Sequence, residues 1–113
     1  MDERLSMIEK AFIFFVMKED IKALKFFMSM GINLSRETFS PLHTAVAMNK
    51  SEIAKLLIEG GADVNLKLGE GGTTPLHLAM IMKSYESAIT LLVANADFDI
   101  EDSSGKKPFD YAE

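Results

Sequence analysis

The pattern of apolar and polar positions divides the chain into short helical segments separated by polar or glycine-rich stretches. The longest apolar run is seven residues, 11–17. A membrane-spanning helix needs about 20 residues, so we interpret this run as the buried part of a helix. The acidic residues Asp2, Glu3 and Glu9 precede it, which is not typical of a signal peptide. We therefore expect a soluble chain, in the cytoplasm by default, with no membrane partner.

Two motifs recur along the chain in the same order. Residues 40–45, SPLHTA, return at 74–79 as TPLHLA, and a weaker copy follows at 107–112, so that the motif prolines are Pro41, Pro75 and Pro108. Between these copies lies a second motif, an apolar helical stretch with a polar tail, at 23–34, 53–65 and 88–99. Two independent motifs that return together at a nearly constant interval indicate a repeat architecture.

The motifs make physical sense as starts and ends of helices. Ser40 and Thr74 are good N-cap residues, and the proline after each suits the first helical position, where no N–H is needed. Gly31 and Gly61 follow the second helix, where a left-handed residue ends it at little cost. Each unit is therefore predicted to be a pair of short antiparallel helices. One pair cannot bury its own apolar face, so the units must stack.

On these motifs the chain resembles the ankyrin-repeat family, whose signature T-P-L-H-x-A stands at 74–79 and whose G-A-D-V-N tail stands at 61–65. The resemblance implies an all-α solenoid of stacked helix-turn-helix units with hairpin-like fingers. It also implies a concave face made by the finger tips and the first helix of each pair. We expect one domain, 1–113, with a degenerate capping repeat at 4–38, repeats at 39–72 and 73–106, and a truncated repeat at 107–113.

Four departures from the family pattern affect this picture. The first unit has no T-P-L-H motif, and Asn95 replaces the helix-ending glycine of the third. The first finger is shorter, because it extends only from Gly31 to Pro41, whereas the second extends from Gly61 to Pro75. The short last unit should leave part of the third unit's apolar face uncovered. We expect a monomer, or weak self-association through that end.

Candidate chemistry is sparse. The chain has no cysteine and two histidines, His43 and His77, at equivalent positions and without metal-binding spacing. The resemblance implies that each imidazole binds its cap hydroxyl and nearby backbone. The glycine-rich segment 68–74 lacks the ending of a phosphate-binding loop, and the acidic segment 97–105 lacks the late glutamate of a calcium loop, so both are interpreted as turns. The sequence thus predicts no catalytic residue, metal or cofactor.

The net charge of −5 disfavours nucleic acid and anionic membranes and suits a basic protein partner. The leading hypothesis is a non-catalytic protein-binding module, in a sharper form an inhibitor or immunity protein of a basic toxin or enzyme. An adaptor or effector that recruits a cellular or host protein is the alternative. An enzyme is a remote alternative.

Methionines provide the clearest hint of a contact surface. Met48 and Met82 each lie seven residues after a motif proline, and Met17 is placed similarly in the first unit. They either fill the core between units or form an exposed, adaptable stripe. Phe39 is either an aromatic anchor or packed beneath the short finger. The predicted contact set is Met17, Arg36, Glu37, Phe39, Ala47, Met48, Glu70, Thr73, Ile81, Met82, Ser103, Ser104 and Lys106.

Overall fold

The structure is a computed structural model that describes residues 6–36 and 38–112. These residues form six α-helices and a final 3₁₀ helix and contain no strand, which confirms the all-α prediction. None of the helices in this part of the chain combines the length and the hydropathy needed to cross a bilayer. The elements are α1 (Met7–Lys18), α2 (Ile21–Ser29), α3 (Pro41–Ala47), α4 (Ser51–Glu59), α5 (Pro75–Met82), α6 (Tyr85–Val93) and the 3₁₀ helix (Pro108–Tyr111).

The first helix of each pair begins with a side-chain cap. The hydroxyls of Ser40 and Thr74 accept hydrogen bonds from the backbone amides of His43 and His77, each at 3.2 Å, as the motif predicts. Proline occupies the first turn of both α3 and α5. In α1 the cap is Ser6, paired reciprocally with Glu9 in a capping box. Residues within three positions of each cap therefore determine where α1, α3 and α5 begin.

Left-handed residues close the second helices, as predicted. Gly31 and Gly61 have φ of 82° and 106°, and Asn95 takes the same role with φ of 67°. Asparagine is the residue best suited to this conformation after glycine. The tight turn inside each pair also places one non-glycine residue at positive φ: Glu19, Asn49 and Lys83.

The helix pairs stack so that one core runs along the whole molecule. Helices α1, α3 and α5 lie side by side, and α4 packs against α6. Small, fully buried residues, Ala45 and Ala79, lie in the central first helices and allow this close approach. The other side chains that fill the core are mainly Phe12, Leu24, Leu42, Ile53, Leu57, Leu76 and Leu91. The 3₁₀ helix packs against α5 and continues the row of first helices.

Candidate protein-binding surface

Hairpin-like fingers connect each second helix to the next first helix. In the first finger Arg36 and Phe39 exchange two backbone hydrogen bonds, of 3.1 and 3.0 Å. In the second, the amide of Leu68 donates to the carbonyl of Thr73 at 2.9 Å. In the third, the amide of Asp102 donates to the carbonyl of Lys106 at 2.8 Å. All three segments therefore reverse the direction of the chain.

The glycine-rich segment forms the tip of the second finger, which agrees with its interpretation as a turn. Gly69 and Gly72 have φ of 66° and 63°, a region that side chains with a Cβ rarely adopt. The tip is bound to the next finger, since the amide of Ser103 donates to the carbonyl of Gly71 at 3.0 Å. The second and third fingers are thus joined by a backbone hydrogen bond.

Each histidine joins one helix start to the following finger. The Nδ1 atom of His43 lies 2.6 Å from the Ser40 hydroxyl, and its Nε2 lies 2.7 Å from the carbonyl oxygen of Thr73. His77 repeats this one unit later, with its own cap hydroxyl and the carbonyl of Lys106, each at 2.8 Å. A carbonyl oxygen only accepts, so Nε2 carries the proton and donates. Both imidazoles are therefore engaged structurally, as the resemblance implied.

Burial keeps the His43 ring neutral. Loss of water around the ring lowers the pKa of His43 from its usual 6.5, and the hydrogen bond to the Thr73 carbonyl opposes this only partly. A neutral ring fits the observed contacts, because Nδ1 can then accept from the Ser40 hydroxyl.

Four predicted contact residues form an exposed apolar row. Met17 is the penultimate residue of α1, Met48 follows α3, and Ile81 and Met82 end α5. All four side chains are substantially exposed, Met82 to 51%. The four residues lie at or just after the C-terminal ends of α1, α3 and α5, and α3 packs against both α1 and α5. The core-filling interpretation is wrong for them, and we call Met17, Met48, Ile81 and Met82 the apolar row.

Phe14 extends this row and was missed by the sequence analysis. Its ring is exposed, one helical turn before Met17, and the ammonium of Lys18 lies 5.6 Å from the ring centroid. Its spacing of three residues from Met17 places both side chains on one face of α1. The neighbouring phenylalanines, however, favoured a core position for Phe14.

The remaining predicted contact residues occupy varied environments. Glu70, Ser103, Ser104 and Lys106 are exposed on the second and third fingers. Ala47 and Thr73 are half-buried, and the Thr73 carbonyl is already used by His43. Glu37 lies outside the described residues.

Phe39 is a core residue, so its assignment to the contact surface is wrong. Only 1% of Phe39 is exposed, and its ring meets that of Phe12 edge to face with 6.1 Å between centroids. Phe39 pairs with Arg36 at the end of the first finger, just before α3, and its side chain is buried in the core. The packing alternative for this residue is the correct one.

Arg36 is engaged within the molecule. Its Nε and a terminal nitrogen donate to the two carboxylate oxygens of Glu9 at 2.8 and 2.7 Å, a bidentate pair that anchors the first finger to α1. The hydrogen bond from Arg36 holds the pKa of Glu9 below its usual value, against the opposing effect of burial. Arg36 therefore positions the finger, although part of its side chain is still exposed.

The acidic segment of the third finger is a turn, as predicted. The Asp97 carboxylate accepts from the amide of Asp99 at 2.8 Å, and that of Asp102 accepts from the amide of Ser104 at 2.9 Å. The Tyr111 hydroxyl also donates to Asp102, which lowers the pKa of Asp102 and raises that of Tyr111. In residues 6–36 and 38–112 no three His, Asp or Glu side chains come together as a metal site would require.

Comparison with known families agrees with this geometry. A family model for ankyrin repeats in three copies matches residues 7–68, and a single ankyrin-repeat model matches residues 71–103. The chain belongs to the ankyrin-repeat family. A search of curated proteins gave no match to the chain. Ankyrin repeats are protein–protein interaction modules, so the ankyrin-repeat chain is a module of this kind.

Side-chain hydrogen bonds also join neighbouring repeat units of this ankyrin-repeat chain, and none of them was predicted from the sequence. The side-chain oxygen of Asn49 accepts from the amide and hydroxyl of Ser87 in α6, at 3.2 and 3.1 Å. The side-chain oxygen of Asn65 similarly accepts from the amide of Asp97 at 2.8 Å. Each bond joins residues of two different repeat units, so no local pattern reveals it.

Proposed function

We propose that this ankyrin-repeat chain binds a protein partner, without catalysis, through the apolar row and the adjoining finger tips. The observation that carries the proposal is the exposure of four apolar side chains at the ends of three adjacent helices. Contiguous exposed apolar surface is typical of a binding site. Three of the four are methionines, whose flexible side chains adapt to a partner's shape.

The charge of the chain supports a basic partner. Asp97, Asp99 and Glu101 are exposed on the third finger, and the whole chain has a net charge of −5. Complementary charge accelerates association and discriminates against wrong partners. We propose that the partner combines an apolar contact patch with a basic rim. In the sharper form of the proposal it is a basic enzyme or toxin that the chain inhibits.

The experiment compares capture of a partner by the wild-type chain and by the double variant Met48→Lys/Met82→Lys. The captured protein is identified by mass spectrometry, and its affinity for each chain is measured by calorimetry. We expect the double variant to bind at least about tenfold more weakly, because two charges would be desolvated in the contact. Circular dichroism should show an unchanged fold, since both positions are exposed.

The control is Met7→Lys, which places one lysine on an exposed methionine outside the apolar row. It should bind like the wild type. Equal affinity of the double variant and the wild type would contradict the proposed surface.

The partner's own activity separates inhibition from recruitment. If the chain is an inhibitor, one equivalent abolishes the partner's catalytic activity, and the double variant does not. Full activity in the complex would instead favour an adaptor. Neutralising the finger with Asp99→Asn and Glu101→Gln should weaken binding of a basic partner and flatten its salt dependence.

A further inference from the structure

Both ends of the helical stack expose large apolar side chains. On α6 the residues Ile89, Leu92 and Val93 are exposed, Val93 to 78%. At the other end Phe26 of α2 and the following Met30 are exposed to 64% and 66%. Terminal units of repeat proteins normally present a polar outer face. We call Ile89, Leu92 and Val93 the α6 face, and Phe26 and Met30 the α2 face.

Comparison of α4 with α6 shows that the fold does not require apolar residues at two of the three positions of the α6 face, whereas the third, Leu92, aligns with the apolar Ile58. The two helices have the same length, with Ser51 and Tyr85 as their first residues. In this alignment Lys55 and Glu59 of α4 stand where α6 has Ile89 and Val93. Charged side chains are therefore compatible with those positions. The apolar residues on α6 indicate a surface that another molecule covers.

The contact between α4 and α6 provides a template for what could cover it. A groove of about 410 Å³ lies between these helices, lined on α4 by Glu52, Lys55, Ile58 and Glu59 and on α6 by Ile89, Thr90, Val93 and Ala94. When α4 is aligned with α6 from the first residue of each helix, the residues of α6 that correspond to the α4 wall are Glu86, Ile89, Leu92 and Val93. When α6 is aligned with α2 in the same way, the residues that correspond to the α6 wall are Lys25, Phe26, Ser29 and Met30.

The two sets of residues obtained in this way are complementary in apolar character and in charge. Ile89 and Val93 also line the groove with α4, so Leu92 is the residue of the α6 face that belongs to the derived set alone. In the derived contact these three side chains would meet Phe26 and Met30 of the α2 face. Lys25 stands on the same wall as the α2 face, and Glu86 on the same wall as the α6 face. The surfaces thus combine apolar contact at the centre with opposite charges at the edge.

Charge over the two ends is complementary on a larger scale. Helix α2 contains the cations Lys22 and Lys25 and no carboxylate, although its N-cap is Asp20. Arg36, further along the chain, is paired with Glu9. Residues 84–105 contain five carboxylates and no cationic side chain. The two lysines of α2 in one copy and the carboxylate-rich segment of another copy would attract each other, although Asp99 in that segment already lies 3.6 Å from Lys107.

We propose that a second copy of this chain docks its α2 face against the α6 face, so that the helical stack continues from one molecule into the next. The two patches differ, so the contact is heterologous and leaves one free face at each end. Association is therefore open-ended and increases with concentration. The apolar row takes no part in it, so self-association is independent of the proposed partner binding.

Sedimentation velocity over a concentration series tests this directly. For the wild type we expect a mass average that rises with concentration from the 12.5 kDa of one chain to more than twice that value. The single variants Phe26→Lys and Val93→Lys should each remain monomeric. Both side chains are exposed, so both variants should keep the wild-type circular dichroism spectrum.

Mixing the two variants gives the decisive result. Each retains the face that the other has lost, so an equimolar mixture should form a one-to-one dimer and grow no further. Lys25→Glu should weaken wild-type association by about threefold, as expected for an exposed charge pair. The matched control is Ile81→Lys, which alters the apolar row and should associate like the wild type.

Three outcomes would overturn the proposal. The wild type could stay monomeric at every concentration. Phe26→Lys could associate as well as the wild type, which would indicate a symmetric contact of α6 with α6. The mixture could contain only monomers, which would exclude the pairing of α2 with α6.

Discussion

The side-chain oxygen of Asn49 accepts hydrogen bonds from both the amide and the hydroxyl of Ser87, at 3.2 and 3.1 Å, across the boundary between two helix pairs. Ser87 is the third residue of α6, so its amide is one of those left free at a helix start. Ser84 stands at the N-cap of α6, but in the described part of the chain its side chain makes no capping bond. The start of α6 is therefore capped by the preceding unit.

Replacing Asn49 with glycine should destabilise the chain by about 1 to 3 kcal/mol, because the fully buried Ser87 loses its hydrogen-bond acceptor. Glycine retains the left-handed backbone that Asn49 adopts at φ of 54°. The loss of stability then measures the side-chain contacts of Asn49, which include the hydrogen bond that its Nδ2 donates to Glu86 at 2.7 Å. Urea unfolding at neutral pH measures it.

Asn95→Gly is the matched control, since it makes the same exchange at another left-handed position, with φ of 67°. It should change the free energy of unfolding by only a few tenths of a kcal/mol. Equal losses of unfolding free energy in the two variants would mean that the change in backbone conformation, and not the loss of the cap between units, causes the destabilisation.

Phe39→Ala should cost about 3 to 5 kcal/mol of stability, as for other buried phenylalanines, because it opens a cavity against Phe12. Phe14→Ala removes an equally large ring from a site that is 52% exposed and should cost less than about 1 kcal/mol. Thermal unfolding of the two variants distinguishes them. A small effect of Phe39→Ala would return Phe39 to the set of candidate partner contacts.

Local signals explain how much of the fold was predictable from the sequence. Ser40 and Thr74, each followed by proline, determine where α3 and α5 start, because capping depends on atoms three residues apart. Asn95 was correctly predicted to end α6 because its conformational freedom is intrinsic. These features need no knowledge of the rest of the chain.

The candidate site was less predictable because it depends on distant residues. Arg36 was predicted as a contact residue, yet its guanidinium pairs with Glu9, which belongs to α1. For Phe39 and the methionines, the same helical spacing fits a core position or a surface position. Burial depends on what the neighbouring unit covers, and a single sequence does not show that. Exposure of Met17, Met48 and Met82 emerged only from the packed structure.

Stability should decrease as the pH falls below about 6.5, and His43 should account for part of the decrease. Burial lowers the pKa of His43 from its usual value of 6.5, so in this range the unfolded chain binds a proton that the folded chain does not. Proton binding favours the unfolded state, and the stabilisation is complete only above the unfolded pKa. Urea unfolding between about pH 5 and pH 8 measures the slope.

His43→Gln should unfold more easily at high pH, because it loses the bridge from Ser40 to the Thr73 carbonyl. It should also show a shallower decrease toward acidic pH. A variant with the wild-type slope would exclude His43 as a source of the pH dependence.

The Asp102 carboxylate should make Tyr111 a weaker acid than a free tyrosine. The Tyr111 hydroxyl donates to Asp102, and this hydrogen bond is the main cause that raises the pKa of Tyr111 above its usual 10.0. The chain has two tyrosines, so Tyr85→Phe leaves Tyr111 as the only one that titrates. Ultraviolet absorbance at alkaline pH then follows its ionisation directly.

In that background Asp102→Asn should return the pKa of Tyr111 toward 10.0, because the charged acceptor is lost. Asp110→Asn is the control, since Asp110 acts on Tyr111 only through its charge and makes the smallest contribution. Its effect should be clearly smaller. Equal shifts in the two variants would show that the pKa of Tyr111 depends on the general negative charge of this end. The hydrogen bond that closes the third finger would then not be its main cause. A larger shift with Asp102→Asn would show that the bond persists in solution and holds the finger against the 3₁₀ helix.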